Sequence, residues 1–305
     1  MKMSHLSPPI PISKSWRDTI TDYVMLTKPT IVALLLTTTL GGMLIAAHGL
    51  PPIPILILTL LGGACSAGGA NALNSYIDRN TDRAMGRTSR RPLPSGKISP
   101  RNALFFALTL CAASVFIFGF GVNWLAATLS TAGIVYYAYV YTVLLKRMTP
   151  QNIVIGGGAG AIPPLVGWAA VTNELSLLSL YLFAIIFLWT PPHTWALMLL
   201  LEKDYRKVLI PMLPAAWGEL EARRHIILYS LLLVIVTLMP FLFRGLSWLY
   251  LIGAVVLGAY FLVLALRLWF ARGEAKPLAK KLYHYSNAYL ALLFALMVAD
   301  TILLR

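Results

Sequence analysis

Charge is what this 305-residue chain has little of: 12% of its residues are charged, only 11 are Asp or Glu, and 58% are hydrophobic. Soluble domains carry about a quarter charged residues, so this scarcity excludes a water-soluble enzyme of ordinary composition. Cysteine is scarcer still. Cys65 and Cys111 lie in separate apolar runs, and no CxxC or Cys/His cluster accompanies them, so neither a disulfide framework nor a zinc site is indicated. The first 20 residues are rich in proline and hold Lys14 and Arg17. They lack the apolar core and small-residue cleavage site of a signal peptide and are read as an N-terminal cytoplasmic tail. Residues 21–305 then form one domain, because no stretch between the apolar runs is long enough to fold alone.

What is present is a succession of apolar runs, with a mean hydropathy of +0.75. A membrane helix needs about 20 mostly apolar residues. Runs fall at 30–48, 52–73, 102–120, 123–145, 152–171, 176–201, 225–243, 247–270 and 284–304. This predicts an all-α membrane protein of nine transmembrane helices. The fifth run holds Gly156, Gly157, Gly158, Gly160, Pro163 and Pro164, which membrane helices tolerate where neighbours approach closely. Of the 25 Lys and Arg residues, all but Arg244, Arg305 and Arg267, which lies at the inner end of run eight, fall in the N-terminal segment or in the loops after runs two, four, six and eight. By the positive-inside rule the N-terminus is cytoplasmic and the C-terminus outside, as in a multi-pass protein of a bacterial plasma membrane. The net charge of +14 thus belongs to one membrane face in contact with anionic lipid. Arg272, Lys276, Lys280 and Lys281 are read as such headgroup contacts, and nothing points to nucleic acid. His5, His48, His225 and His284 are read as tail or interface residues.

Two inner loops, about 79–101 and 202–224, are long and lie four helices apart, so both open on the same face. Each carries acid at a helix mouth: Asp78 and Asp82 in the first, Glu202 and Asp204 in the second. The second run ends directly in Asn74, Asp78 and Asp82, spaced i, i+4, i+8. On a helix these share one face at steps of about 6 Å. Such oxygen ligands suit Mg²⁺, which is held by one or two carboxylates and substrate phosphates. Arg83, Arg87, Arg90 and Arg91 follow, and the inner loop after run four adds Lys146 and Arg147; both sets suit phosphate oxygens. A solvated loop of paired Asp and Arg is the plainer alternative.

The ladder Asn74-x-x-x-Asp78-x-x-x-Asp82 resembles the first acidic motif of the UbiA superfamily of intramembrane prenyltransferases. Three further stretches resemble its haem-farnesylating, haem O synthase branch: Arg87-Thr-Ser-Arg-Arg91-Pro-Leu-Pro-Ser-Gly96; Tyr141 to Gly157, continuing to Pro163-Pro164 and Gly167-Trp168; and Trp189-Thr-Pro-Pro-His193-Thr-Trp195 with Asp204-Tyr205 and Pro211-Met-Leu-Pro214. The resemblance covers roughly residues 20–300. Thr194 stands where an aromatic is expected, Val208-Leu209-Ile210 replaces an expected Ala-Gly, and one extra residue separates Tyr141 from Lys146.

The resemblance implies that farnesyl diphosphate and haem B are the substrates. The farnesyl cation would add to the 2-vinyl group of haem B, and water would complete haem O. It implies catalytic Asn74, Asp78, Asp82, Lys146 and Asp204. Asn74, Asp78 and Asp82 would hold one Mg²⁺ and Asp204 a second, with Arg83, Arg91, Lys146 and Arg147 on the diphosphate. Arg79 points elsewhere, and Glu202 is as readily a solvated helix-end acid. On the acceptor side stand His193, Trp168, Trp195 and Tyr141, with Trp189 and Tyr137 nearby. His193 is ionisable within an apolar run, which marks a functional candidate. A helix-bonding histidine and plain aromatic packing remain the alternatives, as does capping for Gln151 and Asn152. A haem A synthase or a terminal oxidase would be the partners downstream. Another prenyl acceptor, or a non-catalytic carrier of an anionic lipid, stays open on the residues alone.

Overall fold

The architecture, taken from a computed structural model, is described for residues 15–207, 209–273 and 275–304. Most of the N-terminal tail, with His5 and Lys14, lies outside the described residues, as do Val208 and Arg305. Within them, nine helices are long and apolar enough to cross a membrane. They are α2 (Pro29–Ala46), α3 (Ile53–Ala84), α4 (Pro100–Gly121), α5 (Trp124–Val135) with the π-helix Tyr136–Leu145 that prolongs it, α6 (Asn152–Thr172), α7 (Leu177–Lys207), α9 (Glu219–Leu242), α10 (Trp248–Trp269) and α11 (Lys276–Leu303). Leu34, Phe105, Phe116, Ile252 and Val256 are exposed on their outer faces. Water would penalise such a belt and hydrocarbon does not.

Several boundaries differ from the hydropathy reading. The helix α1 (Trp16–Leu26) begins within the segment read as a tail. α3 and α7 run well past their apolar parts, to Ala84 and Lys207, so the acidic residues expected at loop mouths stand on helices. α11 likewise begins at Lys276, before its apolar run. A single-turn helix, α8 (Leu213–Trp217), lies in the second long inner loop. Hydropathy marks where lipid begins, whereas backbone hydrogen bonding carries a helix on into the polar zone.

α6 is the central span. Of its most apolar window 61% is buried, against 22–44% in the other eight, and it packs on α2, α5 and α7. Its small residues make this possible. A Cβ added to Gly167 would lie 2.1 Å from the Thr39 carbonyl oxygen of α2, and one added to Gly42 would lie 2.4 Å from that of Pro164. The backbones of α2 and α6 therefore touch, as small-residue membrane interfaces allow. A polar clamp fastens the far end: buried Asp300 on α11 accepts from the Ser247 hydroxyl and backbone N–H and from the Tyr250 N–H, satisfying donors at the start of α10.

Candidate active site

Because α3 stays helical to Ala84, Asn74, Asp78 and Asp82 share one face, and all three are buried. Buried carboxylates need partners, and those partners come from other segments of the chain. Asn74 Nδ2 donates to Asp78 Oδ2 at 2.9 Å and to Thr142 Oγ1 at 3.1 Å. Lys146 forms an ion pair with Asp78. The Arg147 guanidinium lies 3.8 Å from Asp78 Oδ1 and donates to Thr81 at 3.0 Å. Arg91 pairs with Asp82 at 2.8 Å, and Thr88 donates to the Asp82 carbonyl at 2.9 Å, which folds the Arg-rich loop back over the end of α3.

Lys28 completes the cluster and was not expected from the sequence. Its Nζ donates to Asn74 Oδ1 at 2.6 Å, and its backbone is left-handed, with φ 56°, a costly conformation for a non-glycine residue. Burial, with the Arg91 charge adding to it, pulls its ammonium down to about 7. The only sequence signal was a lone Lys ahead of Pro29, which ordinary inside-positive charge explains equally well.

The extra residue between Tyr141 and Lys146 is taken up by the π-helix. On an α-helix five residues overshoot a full turn by about 140°. Here the Lys146 N–H donates to the Tyr141 carbonyl at 2.9 Å and the Thr142 hydroxyl to that of Tyr137 at 2.7 Å, both across five residues. Residues five apart thus return to one face, and Lys146 reaches Asp78. The Tyr137 and Tyr141 rings stack, with centroids 5.7 Å apart. Gly156 of α6 makes room for them, since a Cβ there would lie 2.2 Å from the Tyr141 ring.

Below this polar mouth lies an apolar cavity of about 730 Å³, lined among others by Tyr137, Tyr141, Asn71, Trp189, Thr190 and Phe294. The second long inner segment closes on the first: Tyr205, at the end of α7, comes close to Arg87, Arg91 and Asp82. Its neighbour Asp204 has no hydrogen bond or ion pair among the described residues. Arg83 forms no ion pair there and donates to the Pro94 carbonyl at 3.3 Å. Glu202 pairs with Arg206 on its own helix.

The residues expected on the acceptor side lie in different places. Trp168 and Trp195 do not line the cavity; both belong to the buried core, and Trp195 meets the rings of Tyr229 and His225 edge-on. Helical phase decides this, because Trp189 and Thr190 take the cavity face of α7. His193 also stands off the lining. It stacks on Trp189 at 4.1 Å and bonds Ser286 of α11 at 2.7 Å.

No group of three or more His, Cys, Asp or Glu residues clusters for a metal among the described residues. The ladder nonetheless offers two carboxylates and an amide, and Asp78 Oδ1 is buried without a hydrogen-bond donor. That orphaned oxygen fits Mg²⁺, which takes few protein ligands when phosphates supply the rest.

The chain matches the UbiA prenyltransferase family over residues 34–293. It belongs to that family. Among curated relatives, protoheme IX farnesyltransferase of Chloroflexus aurantiacus is 51% identical over 95% of this chain and 49% of its own length. That of Thermus thermophilus is 49% identical over 94% and 46%, and that of Teredinibacter turnerae 47% identical over 93% and 90%. The chain therefore spans about half the length of the first two and nearly all of the third. Among solved structures, digeranylgeranylglyceryl phosphate synthase superposes with a TM-score of 0.79 at 20% identity, covering 93% of this chain and 99% of its own. A UbiA homolog from Archaeoglobus fulgidus bound to GPP and Mg²⁺ gives 0.64 at 18%, covering 90% and 99%. The nine-helix bundle is thus the UbiA fold.

Proposed function

We propose that this chain transfers the farnesyl group of farnesyl diphosphate to the 2-vinyl group of haem B and, with addition of water, yields haem O and diphosphate. What carries this reading is one juxtaposition: a buried Asn74–Asp78–Asp82 ladder ringed by Lys28, Arg91, Lys146 and Arg147, directly above an apolar cavity. The acceptor is supported by relatives of 43–51% identity that are protoheme IX farnesyltransferases.

In this reading Asn74, Asp78 and Asp82 would hold Mg²⁺, and Asp204, free of partners among the described residues, would be the ligand for a second ion. Bound Mg²⁺ supplies Lewis-acid stabilisation of the departing diphosphate. Lys146, Arg147 and Arg91 add fixed positive charge where negative charge develops, and Lys28 adds a hydrogen-bond donor beside them. Before substrate arrives these cations offset the buried acids; afterwards they turn to phosphate oxygens. The allylic C1–O bond breaks, and both its electrons leave with diphosphate. The vinyl π electrons then attack C1, leaving a cation beside the porphyrin ring that delocalises it. Water adds to that carbon and loses a proton. The stacked faces of Tyr137 and Tyr141 shield the allylic cation, and the cavity excludes other water. The protein lies in the bacterial plasma membrane with its N-terminus cytoplasmic, supported by the basic residues gathered at the inner ends of α3 and α7.

Detergent-purified protein is incubated with haem B, farnesyl diphosphate and Mg²⁺, and the haems are separated by liquid chromatography–mass spectrometry. A haem heavier by one farnesyl and one hydroxyl, absent under chelation, is the expected product. Diphosphate release with unchanged haem moves the chemistry to another acceptor. Neither signal from folded protein refutes the enzyme.

A further inference from the structure

Asn71 of α3 puts a side-chain amide on the cavity wall while being only 3% exposed. Two other polar side chains of that wall are also buried, and both are engaged. The Thr39 hydroxyl donates to the Leu35 carbonyl at 3.0 Å, and that of Ser130 donates to Ser66 at 2.8 Å. The Asn71 amide has no hydrogen-bond partner among the described residues. Its atoms are not sealed in protein, so they open on the cavity. Ala67 and Ala70 of the same helix line the wall beside it and offer it nothing. A buried amide left unpaired is costly, and such a group calls for a ligand, a water or a chemical role.

The height of Asn71 on α3 says which. Asn74 follows it by three residues and Asp78 by seven. Asn71 therefore sits about 4.5 Å below the first and about 10 Å below the second, on the same face of the helix. Asn74 Nδ2 meets Thr142 Oγ1 at 3.1 Å, which sets the π-helix of Tyr137 and Tyr141 alongside this part of α3. With diphosphate at the ladder, the allylic C1 lies just beneath it. The Asn71 amide then stands at the level of the reacting carbons.

The last step of haem farnesylation needs a water at that level. Once C1 has joined the terminal vinyl carbon, the positive charge sits on the carbon next to the porphyrin. Two fates are open to that cation. A water oxygen can give it a lone pair and then lose a proton, which makes the hydroxyl. Alternatively the neighbouring CH₂ loses a proton, which makes an alkene without oxygen. In either case the proton goes to diphosphate, the base at hand; a neutral amide cannot take it. A bound water needs at least two polar partners. One that donates a hydrogen to Asn71 Oδ1 and the other to a diphosphate oxygen keeps its lone pairs for the cation. Two such hydrogen bonds span about 5.5 Å, comparable with the step from Asn71 up to the ladder.

We infer that Asn71 is the positioning residue for the water that ends the reaction. Its Oδ1 holds that water against the cation and so selects the hydroxyl over the alkene. This rests on the haem farnesylation reading above.

The test uses the full chain in detergent with haem B, farnesyl diphosphate and Mg²⁺. The haems are separated by liquid chromatography–mass spectrometry while diphosphate release is followed alongside. Wild type is expected to give the hydroxylated haem as its main product. Asn71→Leu keeps nearly the same volume without the hydrogen bond. It should raise the ratio of the alkene, lighter by one water, to the hydroxylated haem by at least about 10-fold, as loss of orientation at a reacting centre does. A merely structural role would slow both products alike, so a folded Asn71→Leu with the wild-type ratio overturns the inference. A folded Asn71→Leu that binds farnesyl diphosphate yet releases no diphosphate also overturns it, because Asn71 would then act before the cation forms. If Asn71→Leu does not fold, Asn71→Ala decides by the same ratio. Wild type that makes no prenylated haem refutes instead the acceptor reading.

Discussion

Deleting one lipid-facing residue from the π-helix should leave the enzyme working, although the helix carries two site residues. The π-helical register exists to bring Lys146 onto the face of Tyr141 across five residues. Val143 is exposed to the bilayer side, 43% accessible, and makes none of the site's contacts. Without it Tyr141 and Lys146 are four apart. An ordinary α-helix then sets them only about 40° from alignment, whereas the present spacing on an α-helix would be about 140° off. The deletion therefore trades a π-turn for an α-turn and leaves Arg147 and α6 in place. Turnover of farnesyl diphosphate with haem B should stay within about 10-fold of wild type, whereas Lys146→Ala, which removes a fixed cation from the developing diphosphate, should cost about 10²–10³-fold. Thermal unfolding in detergent must confirm that both proteins are folded. A folded deletion variant as slow as Lys146→Ala would refute the view that the extra residue serves alignment alone.

Asp78→Asn should abolish turnover at every Mg²⁺ concentration and lower stability by about 3–5 kcal/mol, because the partly buried Lys146 loses its counter-charge; turnover assays and thermal melts check each half. Chelation of divalent metal should stop turnover of wild type, and returned Mg²⁺ should restore it; activity that persists under chelation refutes the ladder as a metal site. Gly167→Ala forces a Cβ to within 2.1 Å of the Thr39 carbonyl, and overpacking of this kind costs about 1–3 kcal/mol. Gly160→Ala, with open space around its Cβ, should melt like wild type. In Gly156→Ala the new methyl displaces the Tyr141 ring, so turnover should fall while the melting temperature holds, read by steady-state kinetics alongside the melt.

Local pattern carried a large part of this protein. Span number follows from apolar length, and the residue spacing of Asn74, Asp78 and Asp82 follows from helical period; both are properties of neighbours along the chain, so a sequence displays them. The family motifs are likewise contiguous. Other features depend on which helices meet. Lys28 joins the ladder only because α2 starts beside Asn74, and a lone Lys before Pro carries no trace of that. Arg91 and Arg83 read alike in sequence, yet the loop's fold sends one to Asp82 and the other to the Pro94 carbonyl. Trp189 and Trp195 both belong to one motif, and only the rotation of α7 against α6 and α11 puts the first on the cavity and the second in the core. The Tyr141–Lys146 spacing read as a departure until the π-helix absorbed it. The Ser286 partner of His193 lies 93 residues away. Periodicity and hydropathy are written in the chain itself, whereas partners brought together by packing are decided by side-chain volume and helix approach, which only the tertiary structure expresses.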